Sequence, residues 1–210
     1  MGFYSRVVLP QLLDWSLSDP TLATYRRSLL ADVQGEVLEI GFGTGLNLAY
    51  YPPHIQKITI VDPNPGMHRF AAKRIQASGK TVQNIVLNSE CLPMADRTFD
   101  SVVSTWTLCS IANVEQALQE IYRILKPGGK FFFVEHGLSQ NPKVQVWQHR
   151  LTPIQKVIGD GCHLDRNIEQ LIKNQFPQVE LEQFTPEGMP ELVAHLYKGI
   201  ATKPTLDSTP

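Results

Sequence analysis

The stretch Glu36-Val37-Leu38-Glu39-Ile40-Gly41-Phe42-Gly43-Thr44-Gly45 decides how this chain is read. Its first half is a short, largely apolar run of strand length. Its second half places three glycines at alternate positions. A turn of that kind, leading from the carboxyl end of a first strand into a helix, lets a ligand approach the backbone. Side chains at Gly41 and Gly43 would block the approach. The spacing is G-x-G-x-G, whereas a dinucleotide fingerprint sets its third glycine one residue later, which counts against a nicotinamide-dependent oxidoreductase. A glycine triplet alone is also compatible with a plain structural turn.

Outward from this turn, strand and helix patterns alternate. Residues 46–51 read as a brief helix stopped by Pro52-Pro53. Residues 57–61 read as a second strand ending at Asp62, 21 positions after Gly41. A carboxylate there can accept two hydrogen bonds from a ribose diol or, more blandly, cap the turn before Pro63. A helix over 65–78, a strand over 82–87, a strand over 99–105, a helix over 114–125 and a strand over 130–135 follow. Pro127-Gly128-Gly129 makes the last turn. Such alternation predicts βαβ units on a parallel sheet with helices on both faces. Residues 145–158 and 166–174 read as further helices, with Pro153 expected to bend or split the first. Residues 178–184 and 192–202 alternate apolar and polar and would close the sheet as a hairpin. The tail 204–210 is expected to fray.

The first 35 residues read as helical. Asp19-Pro20 is a start signal, because Asp caps and Pro suits the first helical position. Leu22, Tyr25, Leu29 and Leu30 then recur at helical spacing. Upstream, Val8, Leu12, Leu13 and Trp15 form an apolar face. It reads as a helix packed on the core, a flap over a site, or a membrane-surface contact.

Composition narrows the class. The chain has 210 residues, a formal charge of −1 and 42% hydrophobic residues, which fits one domain spanning 1–210 with a core of its own. A near-zero charge argues against a nucleic-acid binder. Three widely spaced cysteines with no C-x-x-C pair suit a reducing, cytoplasmic compartment. The longest uncharged stretch in the middle, 101–114, is too short and polar to span a bilayer, and residues 1–15 make a poor signal peptide.

Further motifs follow in order: Asn88-Ser89-Glu90-Cys91-Leu92-Pro93, Phe99-Asp100, and Leu125-Lys126-Pro127-Gly128-Gly129. With Glu39 to Gly45 and Asp62 they resemble the class I S-adenosylmethionine-dependent methyltransferases over residues 36–136. The resemblance implies a Rossmann-like fold: a seven-stranded, mostly parallel sheet with a C-terminal antiparallel hairpin. It implies S-adenosyl-L-methionine as cofactor. Gly41, Phe42, Gly43 and Gly45 would border its methionine and ribose, and Asp62 would hold the ribose hydroxyls. Pro63, Asn64 and Met67 would flank the adenine, with Ser89 and Glu90 on its other side. Thr105 and Trp106 would border the methionine chain and the acceptor. A sulfonium sits better beside carboxylates such as Glu39 and Asp62 than beside cations, and the implied pocket carries little positive charge. Lys126 to Gly129 reads as a structural turn.

Tyr51-Pro52-Pro53, Asp62-Pro63-Asn64-Pro65, Leu108-Cys109-Ser110, Glu135-His136 and Asp160-Gly161-Cys162-His163-Leu164-Asp165-Arg166 are similar to the small-molecule thiol methyltransferases and their bacterial relatives. The animal members carry an N-terminal membrane anchor that residues 1–15 do not match, and usually have Asn and Thr where His163 and Asp165 stand. The organisation implied is a helical cap (1–35), a cofactor-binding half (36–136) and an acceptor-side half (137–203). The reaction implied is in-line methyl transfer to a small-molecule acceptor, such as a thiol. Isoprenoid quinones or lipid headgroups are the alternative acceptors, and a non-catalytic cofactor-binding module is the alternative of another class.

Positioning can supply about 7–11 kcal/mol in such displacements, and a base would raise the thiolate fraction of an acceptor of pKa about 8.5. His136, after the fifth strand, is the candidate base, with Asp160, Cys162 and His163 as a second group. Glu135 should point away from His136, since neighbouring strand residues face opposite sides. Tyr4, Trp147 and His149 could line an acceptor pocket. Cys109, His136, Cys162 and His163 lack the spacing of a local metal-binding motif, so no metal is expected.

Overall fold

The computed structural model describes residues 3–205, apart from the side chain of His68. Residues 206–210 of the tail expected to fray lie outside the described residues. Seven strands form one sheet: β1 (Val37–Ile40), β2 (Lys57–Val61), β3 (Thr81–Ile85), β4 (Phe99–Thr105), β5 (Leu125–His136), β6 (Gln178–Phe184) and β7 (Leu196–Thr202). Their order across the sheet is β3-β2-β1-β4-β5-β7-β6. The pairs from β3 to β5 are parallel, whereas β7 runs antiparallel to both β5 and β6. Only β7 is therefore reversed. The expected hairpin partners do pair, and β7 lies inside the sheet with β6 at its edge.

Burial follows position in the sheet. Every residue of β1 is buried, while the edge strand β3 has none buried. On β5, Phe131 and Phe133 join the core on one face, and Phe132 and Val134 join the core on the other. That alternation is the two-residue period of a strand. The first face is covered by α4 (Val114–Ile124) and α6 (Ile168–Gln175), through Leu118, Ile121, Ile168 and Ile172. The second is covered by α2 (Pro20–Leu30) and α3 (Pro65–Ser78), through Leu22, Leu29, Leu30 and Ala71.

Helix starts are set by short polar side chains. Asp19, Asn64, Asn113, Asn141 and Asn167 each accept a hydrogen bond from a first-turn backbone N–H. Each cap satisfies one of the donors a helix leaves unpaired, worth about 1 kcal/mol. Asn141 opens α5 (Pro142–Ile158), which stays one element with Pro153 inside it. The N-terminus is helical as expected: one π-turn, Tyr4–Val8, leads into α1 (Leu9–Leu17).

Two segments differ from the sequence reading. Residues 126–129 are a bulge inside β5 rather than a turn before it. The pairing of β4 steps from Phe99↔Leu125 to Ser101↔Lys130, so the intervening residues of β5 loop out. Backbone bonds between Gly128, Gly129 and Lys203 brace that loop. Residues 192–194, read as strand, belong instead to the helical turn α7 (Glu191–Ala194). Pro190 precedes it, and Ala194 N–H bonds back to Pro190 O, which uses the donor a ladder would need.

The strand order turns around at β1, whose neighbours on either side are β2 and β4. In open α/β sheets a crevice forms outside the carboxyl ends of the strands at such a switch point. Here those ends are Gly41 and Trp106.

Candidate functional site

A cavity of about 410 Å³ lies at this switch point. That is the size of a small-molecule site. Its floor is Ile40 to Thr44 with Leu46 and Asn47. One side is Asp62, Pro63, Asn64 and Met67, continued by Asn88, Ser89 and Glu90, and another is Thr105, Trp106 and Thr107. Leu9, Leu13 and Leu17 of α1 form the roof. At the far end stand Ser110, Ile111 and Ala112, with Gly159 and Asp160. Twelve of the residues singled out from sequence are thus on the wall; Glu39, Gly45, His136 and Cys162 are not.

The glycine turn works differently at its two key positions. Gly41 has φ +70, and a Cβ there would meet Thr107 Oγ1 at 2.0 Å. Its missing side chain makes room for Thr107, not for a ligand. Gly43 has φ +56, and a Cβ there would meet only Gly41 O, at 3.9 Å. Gly43 is the position that leaves the backbone open to the cavity. Gly45 starts the short 3₁₀ turn Leu46–Ala49. Asp62 fixes the turn: Oδ2 accepts from Gly43 N–H at 2.8 Å, and Oδ1 accepts from Asn64 N–H at 2.8 Å.

Glu39 lies beneath the floor. Asn47 Nδ2 donates to its Oε1 at 2.9 Å and Tyr51 Oη to its Oε2 at 2.7 Å. Burial pushes its carboxyl up to about 7, against these two hydrogen bonds and Arg26, which pull it down. It was expected beside the ligand; it orients Asn47 instead. Asn47 Nδ2 also donates to Thr105 Oγ1 at 3.0 Å, and its Oδ1 is buried with no partner.

Arg26 corrects the expectation of a pocket with little positive charge. It lines the wall from α2 and is only 2% exposed. Nη1 donates to Leu17 O at 2.8 Å, the guanidinium lies 4.4 Å from the Trp106 ring centre, and Nε is buried with no partner. Burial lowers its pKa to about 10, which leaves it charged at neutral pH. The sequence did hold a signal: Arg26 stands four residues after Leu22 and three before Leu29, on the buried face of its helix. Trp106 takes φ 51, a conformation costly for a bulky residue, and its N–H donates to Val134 O at 2.8 Å.

The roof is tied down by polar contacts. Arg74 Nη1 donates to Asp14 Oδ1 at 2.7 Å, and Thr44 Oγ1 donates to the same oxygen at 2.6 Å. Asn64 Nδ2 donates to Ser5 O at 2.8 Å. The N-terminal helix covers the cavity, with its apolar residues divided between the cavity and solvent.

At the far end of the cavity, Asp160 reaches the wall with φ 49. His136 stands at the end of β5 as expected, but its Nε2 lies 3.2 Å from Cys162 Sγ, and Cys162 Sγ lies 3.8 Å from Cys109 Sγ. All three side chains are buried. Glu135 points to the opposite side, accepting from Ser104 Oγ and Thr107 N–H at 2.8 Å each. Trp147 is 55% exposed and His149 pairs with Asp165 at 2.9 Å, so neither lines the cavity; nor does Tyr4, whose hydroxyl donates to Ile158 O at 2.7 Å. No helix of the described residues is long and apolar enough to cross a membrane.

Comparison with known proteins agrees with this geometry. Residues 38–133 match the family model of the methyltransferase domain. The chain is similar to thiol S-methyltransferase TMT1B of Rattus norvegicus, 41% identical over 156 residues, covering 71% of this chain and 63% of that protein. It is similar to thiol S-methyltransferase TMT1A of Homo sapiens, 34% identical over 197 residues, covering 87% of this chain and 80% of that protein. Among solved structures, a SAM-dependent methyltransferase of Thermotoga maritima, described as a possible histamine N-methyltransferase, superposes with a TM-score of 0.66. It is 22% identical, covering 95% of this chain and 97% of that one, which bears on the fold alone.

Proposed function

The chain belongs to the S-adenosylmethionine-dependent methyltransferases, and from that premise we propose that it transfers a methyl group from S-adenosyl-L-methionine to a small thiol acceptor. The observation that carries the cofactor half is that two residues of the cavity wall, Arg26 and Asn47, each keep a buried polar atom with no partner. Arg26 Nε is a donor on a charged group and Asn47 Oδ1 is an acceptor. Leaving such atoms unpaired costs about 1–3 kcal/mol each. A zwitterionic amino acid end, carboxylate to Arg26 and ammonium to Asn47, would satisfy both once these side chains turn toward the cavity.

When bound, the cofactor supplies a methyl carbon on a positively charged sulfur, open to in-line displacement. The protein's part is placement and water exclusion. Asp62 would take the ribose hydroxyls, because a carboxylate offers about four lone-pair sites. Pro63, Asn64 and Met67 on one side and Ser89 and Glu90 on the other would enclose the adenine. The leucines of α1 exclude water from above. Thr105 and Trp106 would separate the cofactor from the acceptor, and the Asp160 carboxylate would take the thiol proton as the sulfur attacks the methyl carbon. His136 and Cys162 would position the Asp160 segment from behind the wall. One domain would carry the whole site, with residues 1–35 as the cap.

We place the protein in the cytoplasm, in peripheral contact with anionic membrane surfaces. Phe3, Leu12 and Trp15 are exposed, and the Tyr4–Ile158 bond ties the N-terminal turn to α5, where Val157 and Ile158 are exposed. α5 carries Lys143, Arg150 and Lys156 and no acid. Exposed aromatics beside cations suit an anionic lipid interface. Sedimentation with vesicles containing phosphatidylserine, and not with phosphatidylcholine alone, tests this contact.

The function is tested by calorimetry with S-adenosylmethionine, followed by labelled-methyl transfer into a panel of thiols, quinones, amines and lipids. Binding with transfer to thiols supports the proposal. Transfer only to a quinone or lipid overturns the acceptor, and binding with no transfer to any acceptor overturns the enzyme.

A further inference from the structure

We propose that Cys109, His136 and Cys162 form a binding site for one zinc ion, set directly behind the acceptor end of the cavity. Nothing in the methyl-transfer reading requires it. The three residues come from the loop after β4, the end of β5 and the loop after α5, yet their ligand atoms all lie within 4.8 Å of one another.

The distances suit a tetrahedral ion. With bonds of about 2.3 Å to sulfur and about 2.0–2.1 Å to nitrogen, the edges of the tetrahedron are about 3.8 Å between sulfurs and about 3.6 Å between sulfur and nitrogen. The two sulfurs stand 3.8 Å apart, and His136 Nε2 stands 3.2 Å from Cys162 Sγ. The sulfurs already stand at tetrahedral spacing; the imidazole must draw back from Cys162 Sγ and hold Nε2, which lies within 4.8 Å of Cys109 Sγ, at about 3.6 Å from both sulfurs. A disulfide would need the sulfurs to close to about 2.05 Å.

The scaffold holds the two cysteine segments together before any ion arrives. His163 N–H donates to Cys109 O at 2.9 Å. Gly161 packs so close to Ser110 that a Cβ there would meet Ser110 O at 2.9 Å. Arg166 donates to Leu108 O and to Ile111 O, clamping the backbone on either side of Cys109. Two thiols and an imidazole make a borderline-soft donor set, which selects zinc over magnesium or calcium. Binding would replace two thiol protons, released to solvent, with one dication, leaving a neutral dithiolate–imidazole site that can lie beside the Arg166 guanidinium. Three protein ligands leave the fourth corner to a water or to the side-chain amide of Gln155, whose nitrogen lies 3.6 Å from Cys162 Sγ. Ser110 and Asp160, neighbours of Cys109 and Cys162 in sequence, line the cavity, so the ion would fix that wall.

The test is metal analysis of the full chain, purified without chelator under reducing conditions. About one zinc per chain is expected in the wild type and in Cys91→Ala, which removes the exposed third cysteine. Less than about a tenth of that is expected in Cys109→Ala, His136→Ala and Cys162→Ala. Because those variants can lose their fold, cobalt titration of chelator-stripped wild type gives a second measurement: a sulfur-to-cobalt charge-transfer band with tetrahedral ligand-field absorption. A wild type that holds no zinc and gives no such band overturns the site. So does a Cys109–Cys162 disulfide found in unreduced peptides. Neither measurement depends on methyl transfer, so an inactive protein that holds zinc leaves this inference standing and removes only the acceptor chemistry.

Discussion

Alanine at Gly41 and at Gly43 should fail in opposite ways. Both glycines hold a left-handed backbone, which costs an L-residue about 1–2 kcal/mol. At Gly41 the added methyl also collides with Thr107 Oγ1, 2.0 Å from the ideal Cβ, and overpacking of that kind costs about 1–3 kcal/mol. The sum is about 2–5 kcal/mol, and at about 2–4 °C per kcal/mol for a domain of this size the melting temperature falls by about 4–20 °C. At Gly43 only the backbone cost applies, so the fall is about 2–8 °C. Yet the Gly43→Ala methyl points into open space on the cavity wall. It should lower affinity for S-adenosylmethionine at least tenfold, about 1.4 kcal/mol. Thermal melts with and without cofactor separate the two effects, and calorimetry measures the second. Thr107→Gly should return part of the stability lost in Gly41→Ala and none of the affinity lost in Gly43→Ala. A folded Gly43→Ala protein that binds the cofactor within about twofold of wild type would refute the reasoning.

Arg26→Met should reduce cofactor affinity about 10–100-fold, since a hydrogen bond from a charged donor is worth about 1.5–3 kcal/mol; unchanged calorimetry would remove its role at the carboxylate. Asp14→Asn loosens the roof. The Asp14–Arg74 pair is about a third exposed, so stability should change by no more than about 1 kcal/mol, while stopped-flow release of the cofactor should quicken several-fold. Glu39 makes stability depend on pH. Its carboxyl is raised from 4.5 to about 7 by burial, so the native state binds this proton more tightly than the unfolded chain. The stability it contributes is complete below about 4.5 and is lost as pH rises through about 7. Glu39→Gln should flatten the melting-temperature profile of the ligand-free protein across that window; an identical slope in both proteins would show that Glu39 does not set it.

Much of the fold was legible because its signals are local. The bounds of β2, β4, α3 and β6 follow from local patterns, with Asp62 closing β2 and Gly79 stopping α3. Part of the cavity wall was legible for the same reason: residues 41–47, 62–67, 88–90 and 105–107 lie at or just after the carboxyl ends of strands. What was not legible depends on tertiary neighbours. Lys126 to Gly129 read as a turn because nothing in those four residues records that Leu125 pairs with Phe99. Glu39 read as a ligand contact because its distance below the floor is set by Asn47 and Tyr51. The pocket read as nearly free of positive charge because Arg26 reaches it through tertiary packing, against the ring of Trp106 eighty positions away. Cys109, His136 and Cys162 show no spacing rule, since two loops and the end of β5 bring them together.

The place of β7 has a consequence for how the chain is made. Strands of the sheet emerge in numerical order, but β7, the last of them, takes an interior position between β5 and β6. From the completion of β5 to the start of β7, about 60 residues must be synthesised, which takes about 3–12 s at about 5–20 residues per second. For that interval the outer side of β5 is an open hydrogen-bonding edge flanked by Phe131, Phe132 and Phe133, and β6 has no partner strand. Such an edge is a template for pairing with another chain. The period of greatest exposure to aggregation is therefore built into the strand order, and it would lengthen with any slowing of translation between residues 136 and 196.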